Sequence, residues 1–318
     1  METSNNRRRT ALAALTGFVV LLAVAALFAS AAKPASEPQD LESAAQPIPG
    51  PQGPEHGAWR RQLWFIPLPG ERLLMHATVL RPPGAGPFPL AVINHGSIQS
   101  ADVRAKYAMP QYPIASQWFL DRGYAVVLPQ RAGHGETGGP YFEDQGDCER
   151  ADYKAGLATA YSIQAAIDYM TAQPFLEKSG VVVVGQSAGG WGALALASRN
   201  PPPVKAVINF AGGRGGRADN EPNKNCSPEE LIAAAKLFGK TAKIPTLWLY
   251  SEGDDYFAPA LVRRMVDAFG SAGGSVEFHL LPRFDKRGHI FIQSSDAFRR
   301  WAPIVDKFLS ACQNCGAM

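Results

Sequence analysis

Gly185-Gln186-Ser187-Ala188-Gly189 sets a serine between two glycines, directly after a run of four valines and before a helix-forming stretch, WGALALAS. A serine hydroxyl is a weak nucleophile until a neighbouring base takes its proton, and a G-x-S-x-G turn between strand and helix is one way to hold it for that step. The turn must be tight, so that Ser187 projects beyond the end of the sheet. Side chains at Gly185 or Gly189 would collide there with the adjoining strand and helix. Ser187 also stands at a helix N-terminus, where free N–H groups and the helix dipole favour developing negative charge. The chemistry expected is acyl transfer through a covalent serine intermediate.

Such a serine needs a base, and the base needs an orienting carboxylate; on a strand–turn–helix scaffold the chain order is Ser, then Asp or Glu, then His. Two histidines follow Ser187. His279 lies in SVEFHLL, which alternates like a strand. His289 lies in DKRGHIFI, a glycine-containing loop past that strand, and is the expected base. The acid is expected after the strand IPTLWLYS, where Glu252, Asp254 and Asp255 compete. The spacing from Asp254 to Pro259 favours Asp254 over Asp255.

The elements that must position these residues follow from periodicity and turn chemistry. WRRQLWFIPL and ERLLMHATVLRP read as an opening β pair joined at Pro69-Gly70. PLAVINH, YAVVLPQ, VVVVG, VKAVINFAG, IPTLWLYS and SVEFHLL read as further strands. Helical runs are expected near 112–122, 152–173, 188–199, 228–239, 259–271 and 294–310. Strands alternating with helices imply an α/β class, a mostly parallel sheet covered on both faces. The strands at 204–210 and 245–251 leave no room for a large cap domain, only for a small lid over 212–227.

Composition narrows the function further. A chain of 318 residues, 46% hydrophobic and 19% charged, forms one large domain and is not disordered. A net charge of +3 without a Lys/Arg run in the folded part is too small to suggest nucleic acid, so no nucleic-acid partner is expected. There is no P-loop, no convincing G-x-G-x-x-G, no H-E-x-x-H and no paired C-x-x-C, so neither cofactor nor metal is expected. Gly-rich residues 211–217 lack a following phosphate-binding helix.

Arg7-Arg8-Arg9 precede an apolar run from Ala11 to about Ala29, and Ala29-Ser30-Ala31 fits a cleavage site. Residues 1–32 therefore read as a signal peptide or as an uncleaved membrane anchor with its basic end in the cytoplasm. Membrane contact is expected through this segment alone. Residues 33–58, rich in Pro, Gly, Gln and Ser, read as a flexible linker, 59–311 as the catalytic domain, and 312–318 as a tail carrying Cys312-Gln313-Asn314-Cys315. Export to the periplasm or beyond would permit a disulfide, and Cys148 with Cys226, both in polar loops at the active-site end, is the expected pair. The C-x-x-C follows a helix where a redox motif would open one, so it reads as a local disulfide or two thiols.

Together INHGS, LPQRAGHGETGG, VVGQSAGG, LYSEGDDYFAP and RGHIFI resemble the α/β-hydrolase superfamily over residues 59–310. The arrangement is similar to its dienelactone hydrolase and prolyl-oligopeptidase-like branches. The resemblance implies the α/β-hydrolase fold and a catalytic Ser187–Asp254–His289 set. It also implies an oxyanion hole from the N–H of Ala188 and, by likeness to the HG-type loop, of Ser97. His95, before Ser187 in the chain, then packs its loop. Arg131, Gly133, His134 and Gly135 resemble the R-x-G-x-G loop that shapes the core beside the elbow. Dienelactone hydrolases proper use Cys as nucleophile, so Ser187 favours a serine ester or amide hydrolase. An exported carboxylic ester hydrolase acting on a small molecule is expected. A peptidase or amidase on small peptides and a non-catalytic binding module on the same fold are the alternatives. Arg214 and Arg217 are candidates for a substrate carboxylate, and Trp191 and Tyr141 for the pocket lining.

Overall fold

The valine run forms a strand buried along its whole length, as a strand flanked by helices on both faces must be. The computed structural model describes residues 47–284 and 288–313. Among these, one nine-stranded sheet is built from β1 (Gly50–His56), β2 (Arg61–Pro67), β3 (Leu74–Leu80), β4 (Leu90–Asn94), β5 (Ala125–Pro129), β6 (Val181–Gln186), β7 (Val204–Phe210), β8 (Thr246–Ser251) and β9 (Val276–Leu281). The helices are α1 (Ala101–Ala105), α2 (Pro113–Leu120), α3 (Gly156–Thr171), α4 (Ala188–Ala197), α5 (Pro228–Gly239), α6 (Pro259–Ser271) and α7 (Ser295–Gln313). Proline at the first turn of α2, α5 and α6 marks their starts, where a missing N–H costs no intrahelical bond.

The strand order is β1-β2-β3-β5-β4-β6-β7-β8-β9. The first pairings, through β3 with β5, are antiparallel. From β5 to β9 every pairing is parallel. Helices α3, α4, α5 and α6 pack on one another in series, while α2 packs with α7. Between them β4, β5, β6 and β8 are buried at every position. The parallel strands all end at one edge, so the loops after β4, β6, β7, β8 and β9 converge there, where ligands bind in open α/β sheets.

Two boundaries differ from the sequence reading. Residues 50–56, expected as linker, form β1, paired antiparallel to β2. Pro51, Pro54, Gly50 and Gly53 erase any alternation there, yet an outermost strand tolerates prolines because one side of its backbone bonds nothing. Helix α7 runs on to Gln313, so Cys312, assigned to the tail, is a buried residue of that helix. The segment 1–32, linker residues 33–46 and Cys315 lie outside the described residues. Among the described residues no helix is long and apolar enough to cross a membrane.

Candidate active site

The turn between β6 and α4 holds Ser187 at φ 54° and ψ −122°. A non-glycine residue there costs on the order of 1–3 kcal/mol and persists only where its surroundings fix it. They do: Ser187 N–H donates to Phe210 O at 3.0 Å, and Ser187 O accepts from Trp191 N–H at 2.9 Å and Gly213 N–H at 3.2 Å. The flanking glycines are needed for close approach. A Cβ at Gly185 would lie 2.3 Å from Gly189 O, and one at Gly189 would lie 2.3 Å from Asn94 O. Helix α4 can therefore dock directly on the ends of β4 and β6.

His289 and Asp254 meet this serine from two other loops. His289 Nε2 lies 3.0 Å from Ser187 Oγ, and His289 Nδ1 lies 3.1 Å from both Asp254 carboxylate oxygens. Asp254 Oδ1 also accepts the N–H groups of Tyr256 at 2.8 Å and Phe257 at 3.1 Å, and the side chain is buried. An acceptor-only carboxylate against Nδ1 places the ring proton on Nδ1 and leaves the Nε2 lone pair facing Ser187. The ring of Tyr256 stands 4.3 Å from the imidazole, centroid to centroid, and Gln186 Nε2 donates to His289 O at 3.2 Å. Asp255 points elsewhere, paired with Arg217 at 2.7 Å. His279 pairs with Glu277 on β9, away from the serine.

The loop after β4 closes the other side. Gly96 abuts the elbow so closely that a Cβ there would come 3.2 Å from Ser187 Cβ. Ser97, next in the chain, lines one cleft with Ser187 and Ala188. Ala188 opens α4, ahead of its first intrahelical bond, so its N–H has no acceptor within the helix. His95 is fully buried: its Nε2 accepts Arg131 N–H at 3.1 Å and its Nδ1 donates to Gly96 O at 2.5 Å. Burial, and then the Arg131 charge, hold this imidazole well below the usual histidine range, so it packs its loop as a neutral ring.

The cleft, about 440 Å³, is walled by Gln145, Gly146 and Cys148 on one side and by Gly213–Arg217 and Cys226 on the other. Cys148 and Cys226 are bonded, with Cα atoms 4.9 Å apart, and Gly215 N–H donates to Gln145 Oε1 at 3.1 Å. The 212–227 loop is thus a wall tied to the 143–148 segment. Arg217 lines the cleft between Asp255 and Asn220.

Two of the pocket candidates are corrected. Trp191 is 0% exposed, donates to Tyr153 O at 2.8 Å and packs on Phe238, so it belongs to the core behind the elbow. Arg214 lies in the cleft wall, but it is 4% exposed and both its terminal guanidinium nitrogens are spent on protein acceptors, which leaves them unavailable to a substrate carboxylate. It donates to Glu143 Oε2 and O, both at 2.7 Å, to Thr159 Oγ1 at 2.8 Å and to Tyr141 Oη at 3.1 Å. Glu143 is the residue that sequence reasoning missed. It sits between two buried guanidinium groups, Arg131 and Arg214. Burial alone would raise its carboxyl, but Arg131 and then Arg214 hold it far below the usual carboxylate range. Tyr141 reaches the site through Ser97, Oη to Oγ at 2.9 Å. Among the described residues no cluster of three or more His, Cys, Asp or Glu is placed to hold a metal.

Solved structures share this architecture. The esterase Pf2001 of Pyrococcus furiosus is similar, with a TM-score of 0.56 at 14% identity, over 83% of this chain and 99% of the other. A puromycin-hydrolyzing peptidase of Mycobacterium tuberculosis is similar with a TM-score of 0.56 at 16% identity, over 79% of this chain but 40% of that one. At these identities the likeness establishes the fold, that of the α/β hydrolases. In sequence, protein bem46 of Schizosaccharomyces pombe is 29% identical over 181 residues, 54% of this chain and 54% of that one. The chain thus spans about half the length of this curated relative. Residues 111–308, from ahead of α2 into α7, match the model of the dienelactone hydrolase family, and the chain belongs to that family.

Proposed function

We propose that this hydrolase cleaves a carboxylic ester by a Ser187–His289–Asp254 acyl-enzyme mechanism. The observation that supports it is the unbroken line of contacts from Ser187 Oγ through the imidazole to the buried Asp254 carboxylate, 3.0 and 3.1 Å. Ser187 Oγ attacks the substrate carbonyl carbon as His289 Nε2 takes its proton. Asp254 fixes the ring tautomer and stabilises the imidazolium that forms. The N–H groups of Ala188 and Ser97 receive the oxyanion, aided by the N-terminal end of α4. His289 returns the proton to the leaving alkoxide. It then takes a proton from the water that attacks the acyl-enzyme, and Ser187 recovers its own as the acid leaves.

Export is part of the same proposal. Arg7–Arg9, the apolar run after them and a Cys148–Cys226 bond suited to an oxidising compartment support it. A fluorophosphonate probe should label wild type at Ser187 and leave Ser187→Ala unlabelled. The variant should also lose several orders of magnitude in kcat with its fold intact. Turnover by purified Ser187→Ala within about tenfold of wild type refutes the nucleophile. A panel of p-nitrophenyl esters and peptide anilides decides between ester and amide.

A further inference from the structure

Ser97 has a side chain that the mechanism above does not use, and it is held more firmly than a loop serine needs to be. Its Oγ lies 2.8 Å from His134 Nε2 and 2.9 Å from Tyr141 Oη. The direction of these bonds can be assigned. His134 Nδ1 faces two carbonyl oxygens, Arg131 O at 3.2 Å and Ala132 O at 3.1 Å. Carbonyls only accept, so the ring proton sits on Nδ1 and Nε2 is an acceptor. Burial pushes His134 down to about 4, so the ring is neutral at ordinary pH. Ser97 O–H therefore donates to His134. Arg214 Nη1 donates to Tyr141 Oη at 3.1 Å, so the tyrosine proton points away from the arginine, toward Ser97 Oγ or toward Gln99 Oε1 at 3.2 Å.

The backbone after Ser97 is held by the same cluster. Arg104 lies over the Tyr141 ring at 3.6 Å, and its Nη1 donates to Ile98 O at 3.0 Å and Gln99 O at 2.7 Å. Its Nε donates to Gly133 O at 3.2 Å, one residue before His134. The loop carries no regular structure and Ile98 is 40% exposed, so these bonds, not burial or a sheet ladder, fix where Ser97 sits. With its hydroxyl proton directed at His134, Ser97 has only its main-chain N–H to offer the cleft.

We propose that the Ser97 hydroxyl, gripped by His134 and Tyr141, is a positioning group that aims the Ser97 N–H at the oxyanion; this rests on reading Ser97 as the second oxyanion donor. Preorganised donors act only when already aimed at where charge develops, and misplacement by about 1 Å is costly. Cutting the grip leaves the donor present but loosely held. Its loss should therefore fall below the 10²–10³ in kcat that removing such a donor costs.

The test compares full-length wild type, Ser97→Ala, Tyr141→Phe and Ser187→Ala on one p-nitrophenyl ester and with a trifluoromethyl ketone, which forms a tetrahedral adduct with a serine nucleophile. Tyr141→Phe leaves Arg214 its bonds to Glu143 and Thr159, so it probes the grip without stripping the guanidinium. Ser97→Ala should lower kcat on the order of 10- to 100-fold with KM nearly unchanged and weaken the ketone by the same factor, and Tyr141→Phe should do so to a lesser degree. A kcat for Ser97→Ala and Tyr141→Phe within about twofold of wild type overturns the proposal. So does a loss that falls on KM while ketone affinity stays constant. Should Ser97→Ala fail to fold, Tyr141→Phe carries the same comparison alone. Turnover by Ser187→Ala would instead refute the underlying mechanism, which separates the two failures.

Discussion

Replacing Asp254 by Asn tests the orientation of the base with almost no change in shape. Asp254 Oδ1 accepts two backbone N–H groups, from Tyr256 and Phe257, at 2.8 and 3.1 Å. In the amide variant only the oxygen can accept those bonds, so it must take the Oδ1 place. The NH₂ group is then left at the Oδ2 place, 3.1 Å from His289 Nδ1, and it donates. An imidazole that accepts at Nδ1 carries its proton on Nε2, where it can no longer take one from Ser187. The wrong tautomer costs about 10⁴ in kcat, or about 5.4 kcal/mol of barrier at 1.36 kcal/mol per tenfold. Asp255→Asn removes only the pair to Arg217, and the Asp255 side chain is 44% exposed. Such pairs contribute about 0–1 kcal/mol, a change of no more than about fivefold. Steady-state hydrolysis of one ester by both purified variants, with circular dichroism to check folding, decides it. An Asp255→Asn enzyme slower than Asp254→Asn, or an Asp254→Asn enzyme within about tenfold of wild type, would refute the reasoning.

The cleft walls and the buried charges give two further expectations. Cys148→Ser with Cys226→Ser opens a link spanning 78 residues and should lower stability in urea by about 2–4 kcal/mol. Because the bond ties the walls and not the triad, KM should rise more than kcat falls; equal KM values in both proteins would count against a role in shaping the cleft. Glu143→Gln should destabilise the fold by roughly 3–5 kcal/mol, since it leaves Arg131 and Arg214 as buried charges without a counter-ion. The Glu143 carboxyl is held below its unfolded value of about 4.3, so its stabilisation is complete above that pH and lost as pH falls beneath it. Urea unfolding followed downward from neutral pH should show wild type losing its advantage over Glu143→Gln only below about pH 4, and a constant difference across that range would refute the assignment.

What the sequence made legible is what depends on local pattern. The valine run, the glycines at 185 and 189 and the small residues of α4 specify the elbow within a dozen positions, because close approach there tolerates no side chain. The spacing from Asp254 to Pro259 is local as well: the carboxylate caps the turn ahead of α6 through Tyr256 and Phe257 N–H, and that capping leaves its remaining acceptor capacity for His289. Where packing across distance decides, pattern was misleading. Trp191, one turn past the serine, looked like a pocket residue, but α4 is buried on every side and turns it into the core behind the elbow. Arg214 looked free because its partner, Glu143, lies 71 residues away in a polar stretch, YFEDQGD, that carries no periodicity at all.

The Glu143 cluster also accounts for a conflict between composition and structure. Residues 140–150 and 211–227, rich in Gly, Asp, Asn and Arg, have the makeup of solvated loops, yet they form the rigid walls of the cleft. Four interactions replace the missing apolar core: the two buried guanidinium pairs on Glu143, the Cys148–Cys226 bond, and Tyr153 Oη donating to Cys226 O. The Glu143 carboxylate is buried and both its oxygens accept from guanidinium groups, and a buried polar network satisfied in this way rigidifies its surroundings. Arg214 links this network to Tyr141 and hence to Ser97. The charge that holds the wall in place therefore also reaches the loop that carries Ser97 into the cleft beside Ser187, and a substitution in the wall should be felt in kcat as well as in KM wherever it breaks that chain.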